Sequence, residues 1–140
     1  MIIREFKPDD IHNGLLETYK EVWFISEITQ ETLNKFLLND NYMFVVEDAG
    51  QIIGSATLHL QQKLIRNGGI SGLIEDVVIR EKNRGQNIGS KLIESLIDKS
   101  KELGCYKVIL SCFPERVSFY ERNGFFKESI LMRLKHENLK

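Results

Sequence analysis

The chain has 140 residues, of which 42% are hydrophobic and 28% are charged, and its 19 basic and 20 acidic side chains give a formal net charge of -1. This length and composition predict one folded domain over residues 1–140 and argue against a disordered chain. The near-zero charge also argues against an extended basic face for nucleic acid or for an anionic membrane. An anionic ligand would therefore have to be held by a local cluster in one small pocket.

Other features of the composition exclude further classes of protein. No apolar run approaches the roughly 20 residues that a membrane helix needs, and the first residues lack the pattern of a signal peptide. Cys105 and Cys112 are 7 residues apart in a strand-like stretch, which is a poor geometry for a disulfide. The three histidines are scattered and show no metal-ligand spacing. We expect a reduced, cytoplasmic protein that binds no metal.

The first half of the chain predicts two helices followed by a hairpin. A short strand is predicted over Ile2–Phe6. After it, the spacing of the hydrophobic residues predicts a helix from Ile11 to about Trp23. Thr29 is placed to cap a second helix, because its hydroxyl can accept from an amide in the first turn. Two runs rich in strand-forming residues, Tyr42–Val46 and Ile52–Leu58, flank a turn at residues 48–50 and predict the hairpin.

The second half predicts three more strands and two more helices. A polar loop ending at Gly72 leads to a strand over Leu73–Ile79, which is followed by a well-defined amphipathic helix that ends at Gly104. A strand over Tyr106–Cys112, a short helix from Pro114 to Tyr120 and a final strand over Phe125–Leu134 complete the predicted elements. Two early strands form a hairpin, whereas the later strands alternate with helices. The sheet should therefore be mixed, and the predicted fold class is α/β (α+β mixed).

The most informative motif is Arg84-Gly85-Gln86-Asn87-Ile88-Gly89. It follows a strand and opens a helix, where unpaired backbone N–H groups and the helix dipole can bind an anion. It fits neither the dinucleotide fingerprint nor the P-loop, since both need other glycine or lysine positions. From residue types alone, an anion site and an ordinary strand-to-helix loop are both open.

Placed between a strand and a long amphipathic helix, this loop resembles the acetyl-CoA signature of the GNAT superfamily of N-acetyltransferases. Two flanking stretches, Leu73–Ile79 and Gly104–Phe125, resemble the eukaryotic glucosamine-6-phosphate N-acetyltransferase family. The resemblance extends over nearly the whole chain and is clearest from Leu58 to Phe125. It implies a twisted mixed sheet that is flanked by helices and splayed between its two central parallel strands.

The resemblance implies that acetyl-CoA binds as a co-substrate. Its pantetheine arm would pair with the backbone of Val77, Val78 and Ile79 in the manner of an added strand. Its pyrophosphate would lie at the helix start, with implied contacts to Arg84, Gly85, Gln86, Asn87, Ile88, Gly89 and Ser90. The family usually has glycine at the position of Asn87, and asparagine is one of the few other residues that tolerate a left-handed backbone.

The resemblance also assigns an amino-sugar site and a catalytic tyrosine. Glu75 and Asp76, whose side chains should point to opposite faces of a regular strand, would orient the amine and help to remove its proton. Tyr120 would donate a hydrogen bond to the departing thiolate. The implied contacts to the phosphorylated sugar are Lys63, Arg66, Glu75, Asp76, Val77, Tyr106, Lys107 and Lys135. From spacing alone, the same residues can be an exposed acid, a core aromatic and solvated bases.

The family implies direct acetyl transfer from acetyl-CoA to the amine of glucosamine 6-phosphate, a step of UDP-N-acetylglucosamine biosynthesis. Both substrates would be bound together, so no covalent enzyme intermediate is needed. The family also implies a homodimer, with which exposed apolar residues in the last strands, such as Phe125, Phe126 and Ile130, are compatible. Neither nucleic acid nor a membrane is an expected partner.

Two alternatives stay open at this point. The first keeps the chemistry and changes the acceptor to a polyamine, an amino acid or a protein amine. The second is a non-catalytic acetyl-CoA-binding module, which departures from the family pattern at Asn87, Ser111 and Arg116 favour. The presence of Tyr120 and of the Glu75-Asp76 pair argues against that second alternative.

Overall fold

The computed structural model describes residues 1–137, and the chain divides into two compact units, one over Met1–Leu110 and one from Ser111 onward. The prediction of one domain over residues 1–140 stays a prediction. The first unit contains a five-stranded sheet whose strands are β1 (Ile2–Glu5), β2 (Asn41–Asp48), β3 (Gln51–Gln62), β4 (Ile70–Ile79) and β5 (Cys105–Ile109). The strands lie in chain order across the sheet.

The sheet is mixed, as the sequence predicts. β1, β2, β3 and β4 pair in antiparallel fashion, and β5 pairs with β4 in parallel. The helices of this unit are α1 (Leu15–Lys20), α2 (Gln30–Leu38), the single turn α3 (Ile65–Gly68) and α4 (Ile88–Glu102). α4 connects the two parallel strands, which is the crossover that such a pair requires.

Two apolar layers hold the helices to the sheet. Residues from the first helices and from β2 and β3 form one buried cluster, made of Ile11, Leu15, Leu33, Val45 and Ile52. α4 packs across β2 to β5 and buries Ile88, Leu92, Ile93 and Leu96. Two local predictions are confirmed here: Thr29 caps α2 by accepting from the amide of Thr32, and Gly104 follows α4 with φ of 79°.

The prediction of one continuous helix from Ile11 to Trp23 is wrong. Pro8–Ile11 forms a 3-10 turn, and α1 covers only Leu15–Lys20. Gly14 separates the two with φ of 115°, and a Cβ at this position would lie 2.8 Å from both the backbone N and O of Ile52. Close packing of the chain against β3 therefore breaks the helix. The hydrophobic spacing continues across the break, so it gives no sign of it.

The predicted loop that ends at Gly72 is also too long. Gly72 lies inside β4, where it pairs with Leu60 of β3 and Val108 of β5. β3 and β4 extend as a ladder through polar residues as far as Gln62 and Ile70. These residues lack the apolar alternation used to predict strands, which explains the error. β5 ends at Ile109, three residues earlier than predicted.

The second unit contains one short helix, α5 (Val117–Arg122), preceded by a 3-10 turn over Pro114–Arg116. This agrees with the predicted short helix. The prediction of a final strand over Phe125–Leu134 is wrong, because these residues form no strand. A strand requires a neighbouring strand to pair with its backbone, and the residue pattern alone cannot show that one is present.

Among residues 1–137, no helix combines the length and the apolar character needed to cross a membrane. Within the same residues, no three or more His, Cys, Asp or Glu side chains are grouped so that they could hold a metal ion. Cys105 and Cys112 are both free thiols.

Candidate active site

The central feature of the candidate site is the edge of β4 that faces β5. Pairing between these two strands begins at Ile70 with Cys105 and ends at Leu73 with Ile109. On the other side, β4 stays paired with β3 up to Ile79. Residues 74–79 therefore have no pairing partner in β5, and this is the predicted splay between the two parallel strands. An extended ligand could pair with such an edge like an added strand.

A β-bulge interrupts β4 at the two acids. Thr57 pairs with Glu75 and Ser55 with Val78, so Asp76 and Val77 together oppose one residue of β3. Asp76 takes up the extra length with φ of 54°, a conformation that asparagine and aspartate tolerate better than most residues. The regular alternation that would place Glu75 and Asp76 on opposite faces is broken, and both residues are exposed.

The loop that opens α4 has the conformation that the motif predicts. Asn87 precedes the helix with φ of 61° and ψ of 16°, and its side chain makes no capping hydrogen bond. Gly85 has φ of 83°, with no heavy atom within 4 Å of the position of a Cβ. The backbone of the loop can therefore approach a ligand closely. The first turn of a helix also has amides without a partner inside the helix, which suits a pyrophosphate.

Arg84 lies between the loop and the strand edge. Its Nε donates to the carbonyl oxygen of Ile79 at 3.0 Å. Arg84 also lines a surface hollow together with Glu21, Glu81 and Lys82. The structure thus places the two parts of the predicted acetyl-CoA site, the β4 edge and the α4 loop, next to each other in the first unit.

Two of the predicted basic residues meet at one aromatic ring. The guanidinium carbon of Arg66 lies 4.9 Å from the centroid of the Tyr106 ring, and Nζ of Lys107 lies 5.7 Å from it. Arg66 has a left-handed backbone with φ of 57°. The backbone N–H of Lys63 donates to the carbonyl of Gly69 at 2.9 Å, which closes the loop that carries Arg66. We call Arg66, Tyr106 and Lys107 the basic cluster.

One histidine that the sequence did not single out lies beside the predicted acids. His59 is two residues from Thr57 along β3, and Thr57 pairs with Glu75, so His59 and Glu75 are diagonal neighbours on one face. Nε2 of His59 lies 3.8 Å from Oε2 of Glu75. The strand register reveals this pair, and the register depends on the bulge and on strand lengths that the sequence did not predict.

Tyr120 lies in α5 of the second unit. Its ring packs edge-on against Phe119 and Phe125, with centroid separations of 4.9 and 5.9 Å. Burial raises the pKa of the Tyr120 phenol, Cys112 adds to this and Arg116 opposes it. The phenol is therefore protonated at neutral pH and able to donate a hydrogen bond. Lys135 also lies in this unit and is exposed.

Comparisons with known proteins agree with this geometry. A family model described as the acetyltransferase (GNAT) family matches residues 9–125. The chain is 33% identical to glucosamine 6-phosphate N-acetyltransferase of Arabidopsis thaliana over 93% of each chain, and 34% identical to the Candida albicans protein of that name over 87% of each. The crystal structure of the Arabidopsis enzyme superposes with a TM-score of 0.88 at 32% identity, covering 97% of this chain and 98% of that one. The resemblance inferred from the loop and its flanking stretches is confirmed.

Proposed function

The chain belongs to the GNAT family of acetyltransferases, and from that premise we propose that it transfers the acetyl group of acetyl-CoA to the amine of glucosamine 6-phosphate. Relatives that carry this activity in their names match nearly the full chain at about one third identity. The structural observation that carries the choice of acceptor is the basic cluster. On a chain with a net charge of -1, a local pair of cations suits one phosphate group.

The conformation of Arg66 supports a ligand-binding role for this cluster. A left-handed backbone is uncommon for arginine and costs about 1–2 kcal/mol. Gly69 approaches the Tyr106 ring so closely that a Cβ there would lie 2.9 Å from its Cδ1. This tight turn holds the guanidinium over the ring, where it is oriented before a phosphate binds.

Acetyl-CoA would bind along the unpaired edge of β4 and at the start of α4. The backbone of Val77, Val78 and Ile79 would pair with the pantetheine arm, and the loop from Arg84 to Ser90 would hold the pyrophosphate. The left-handed Asn87 and the open space around Gly85 support this assignment. Because backbone amides supply most of these contacts, the site needs little formal positive charge.

The reaction would be a direct attack of the neutral amine on the thioester carbon, with both substrates bound together. The ammonium form of the sugar must first lose a proton, and Glu75 and Asp76 are the acceptors that the resemblance implies. A backbone N–H at the bulge would stabilise the oxyanion. Tyr120 would donate its phenolic proton toward the departing thiolate sulfur.

A comparison of phosphorylated and unphosphorylated acceptors tests this proposal. We expect CoA release in the presence of glucosamine 6-phosphate, with a KM well below that for glucosamine. Arg66→Glu should raise the KM for glucosamine 6-phosphate by more than about tenfold, since a charge-assisted pair becomes a repulsive one, and should change the KM for glucosamine little. Lys101→Glu, which makes the same charge change on α4, is the matched control.

The outcomes separate the alternatives. Equal use of both sugars, or a faster reaction with a polyamine or a peptide, would reject glucosamine 6-phosphate as the substrate and leave acetyl transfer intact. Binding of acetyl-CoA without CoA release for any amine would indicate a non-catalytic module.

We also infer that the active form is a homodimer in the cytoplasm and that it needs no metal. Apolar side chains in the last described segment support an interface, since Phe126 is 77% exposed and Ile130 88% exposed. Several exposed large apolar side chains in one short segment are compatible with an interaction site. The product would enter UDP-N-acetylglucosamine biosynthesis.

A further inference from the structure

His59 has a ring nitrogen that is buried and has no hydrogen-bond partner. Within residues 1–137, Nε2 of His59 is one of four such buried side-chain atoms. A buried polar atom without a partner costs about 1–3 kcal/mol, so its position calls for an explanation. The nearest charged group is the carboxylate of Glu75, 3.8 Å away, which is beyond the usual 2.7–3.2 Å of a hydrogen bond.

The tautomer of His59 follows from its other contacts. Nδ2 of Asn41 donates to the carbonyl of Phe36 at 2.8 Å, which orients the amide so that its oxygen, Oδ1, faces Nδ1 of His59. An amide oxygen only accepts, so Nδ1 must carry the hydrogen. The neutral ring therefore has its lone pair on Nε2, directed toward Glu75. Nε2 can therefore accept a proton, while the hydrogen bond from Nδ1 to Asn41 fixes the orientation of the ring.

We propose that His59, fixed by Asn41, is a positioning residue that takes up through Glu75 the proton lost by the acceptor amine. This inference rests on the proposed reaction, in which the ammonium group must be deprotonated before attack. The proton would pass from the ammonium nitrogen to a Glu75 oxygen and from there to Nε2 of His59. The product is an imidazolium next to a carboxylate, and it returns the proton to water through the exposed carboxylate of Glu75.

The geometry allows this transfer with a small movement. The Glu75 side chain is 48% exposed and that of His59 is 27% exposed, so the carboxylate has room to rotate toward Nε2 and shorten the 3.8 Å separation while the ring stays fixed by Asn41. Exposed Glu75 can still contact a substrate on its other side. His59 itself would not touch the substrate, which is why we class it as positioning.

Few other charges face the ring. β2 contributes the neutral Asn41, and α2 contributes Phe36, whose ring lies edge-on with a centroid separation of 6.5 Å. The charged residues of α2 nearest in sequence to Phe36, Glu31 and Lys35, pair with each other at the surface. β4 contributes Glu75, so among the described residues this carboxylate is the ion-pair partner of His59.

The pH dependence of the chemical step tests the proposal. The pair can accept a proton only when the imidazole is neutral, so the single-turnover rate should fall as the pH drops and the imidazole becomes protonated. His59→Asn keeps a donor for Asn41 and removes the proton acceptor. It should lower the plateau rate at least about tenfold and move the acidic limb to lower pH, because the carboxylate of Glu75 is then the remaining proton acceptor. His12→Asn is the matched control, and acetyl-CoA affinity should stay within twofold in both variants.

A second measurement needs neither activity nor a folded variant of His59. Nitrogen-15 NMR of the wild type should show His59 as the Nδ1–H tautomer at high pH. An Nε2–H tautomer, or an unchanged pH–rate profile in a folded His59→Asn variant, would each overturn the proposal. If another amine proves to be the acceptor, the profile is measured with that amine, so the two proposals fail separately.

Discussion

At the scale of single residues, Tyr120 gives the most direct chemical prediction. Its raised pKa, caused first by burial, keeps the phenol protonated at neutral pH. Tyr120→Phe should lower kcat about a hundredfold, in the range of general acid catalysis, and change the Kd of acetyl-CoA less than threefold. Steady-state kinetics and calorimetric titration check the two quantities.

The control for the fall in kcat expected of Tyr120→Phe is Tyr42→Phe, which removes a phenolic hydroxyl from β2 in the first unit. Because the pKa of Tyr120 lies above the usual 10, the wild-type rate should show no fall from its ionisation below about pH 10. A kcat that is unchanged in Tyr120→Phe, with chemistry shown to be rate-limiting, would remove Tyr120 from the mechanism.

Asn87 allows a second test at this scale, of the acetyl-CoA loop. Asn87 has φ of 61°. Adopting this left-handed conformation is about 1–2 kcal/mol less favourable for alanine than for glycine. Asn87→Ala should therefore weaken acetyl-CoA binding roughly fivefold to thirtyfold, whereas Asn87→Gly should bind at least as well as the wild type. Direct binding measurements decide this. Equal affinities for the alanine and glycine variants would show that the left-handed conformation does not serve binding.

At the scale of elements, Gly14 tests why the first helix is divided. An alanine there must take φ of 115° and place its Cβ 2.8 Å from the backbone of Ile52. Gly14→Ala should lower the free energy of unfolding by roughly 2–5 kcal/mol, combining backbone strain with overpacking. Gly50 has φ of 78° with open space around it, so Gly50→Ala should lower the free energy of unfolding by only about 1 kcal/mol. Equal losses in urea unfolding would show that close packing against β3 is not the cause.

The elements also show what a sequence can and cannot predict. The cap at Thr29 and the stop at Gly104 could be predicted because each depends on neighbouring residues. The left-handed Asn87 and the splay between β4 and β5 were implied by the resemblance and not by the residue pattern. The bulge at Asp76 and the residue at which β5 leaves β4 depend on strand register, which the residue pattern does not show. His59 went unnoticed for the same reason, because its partner Glu75 is 16 residues away in sequence and meets it only through the ladder.

At the scale of the whole molecule, the main prediction concerns assembly. If the exposed apolar segment near Ile130 lies in an interface, light scattering should give about twice the chain mass of 16.3 kDa. Ile130→Glu should shift the protein toward the monomer, because a charge is costly in an apolar interface. Phe24→Glu changes a fully exposed apolar side chain elsewhere in the chain and is the control. A wild type that stays at the monomer mass at high concentration would contradict the homodimer.

The family and the mixed sheet follow from the motif and its flanks, and both are confirmed by independent comparisons. The acceptor depends on how a few side chains are arranged, and the basic cluster is the main structural support for it. Arg66 meets Tyr106 and Lys107 although it is 40 or more residues away from them in sequence. A direct test of the acceptor is therefore a test of the whole account.

The most direct measurement is a competition among acceptors. The protein is incubated with acetyl-CoA and equal concentrations of glucosamine 6-phosphate, glucosamine, spermidine and a lysine-containing peptide, and the acetylated products are identified by mass spectrometry. We predict N-acetylglucosamine 6-phosphate as the dominant product from the first turnovers onward. A different acetylated amine as the main product, or CoA-bound protein with no acetylated amine at all, would contradict the account.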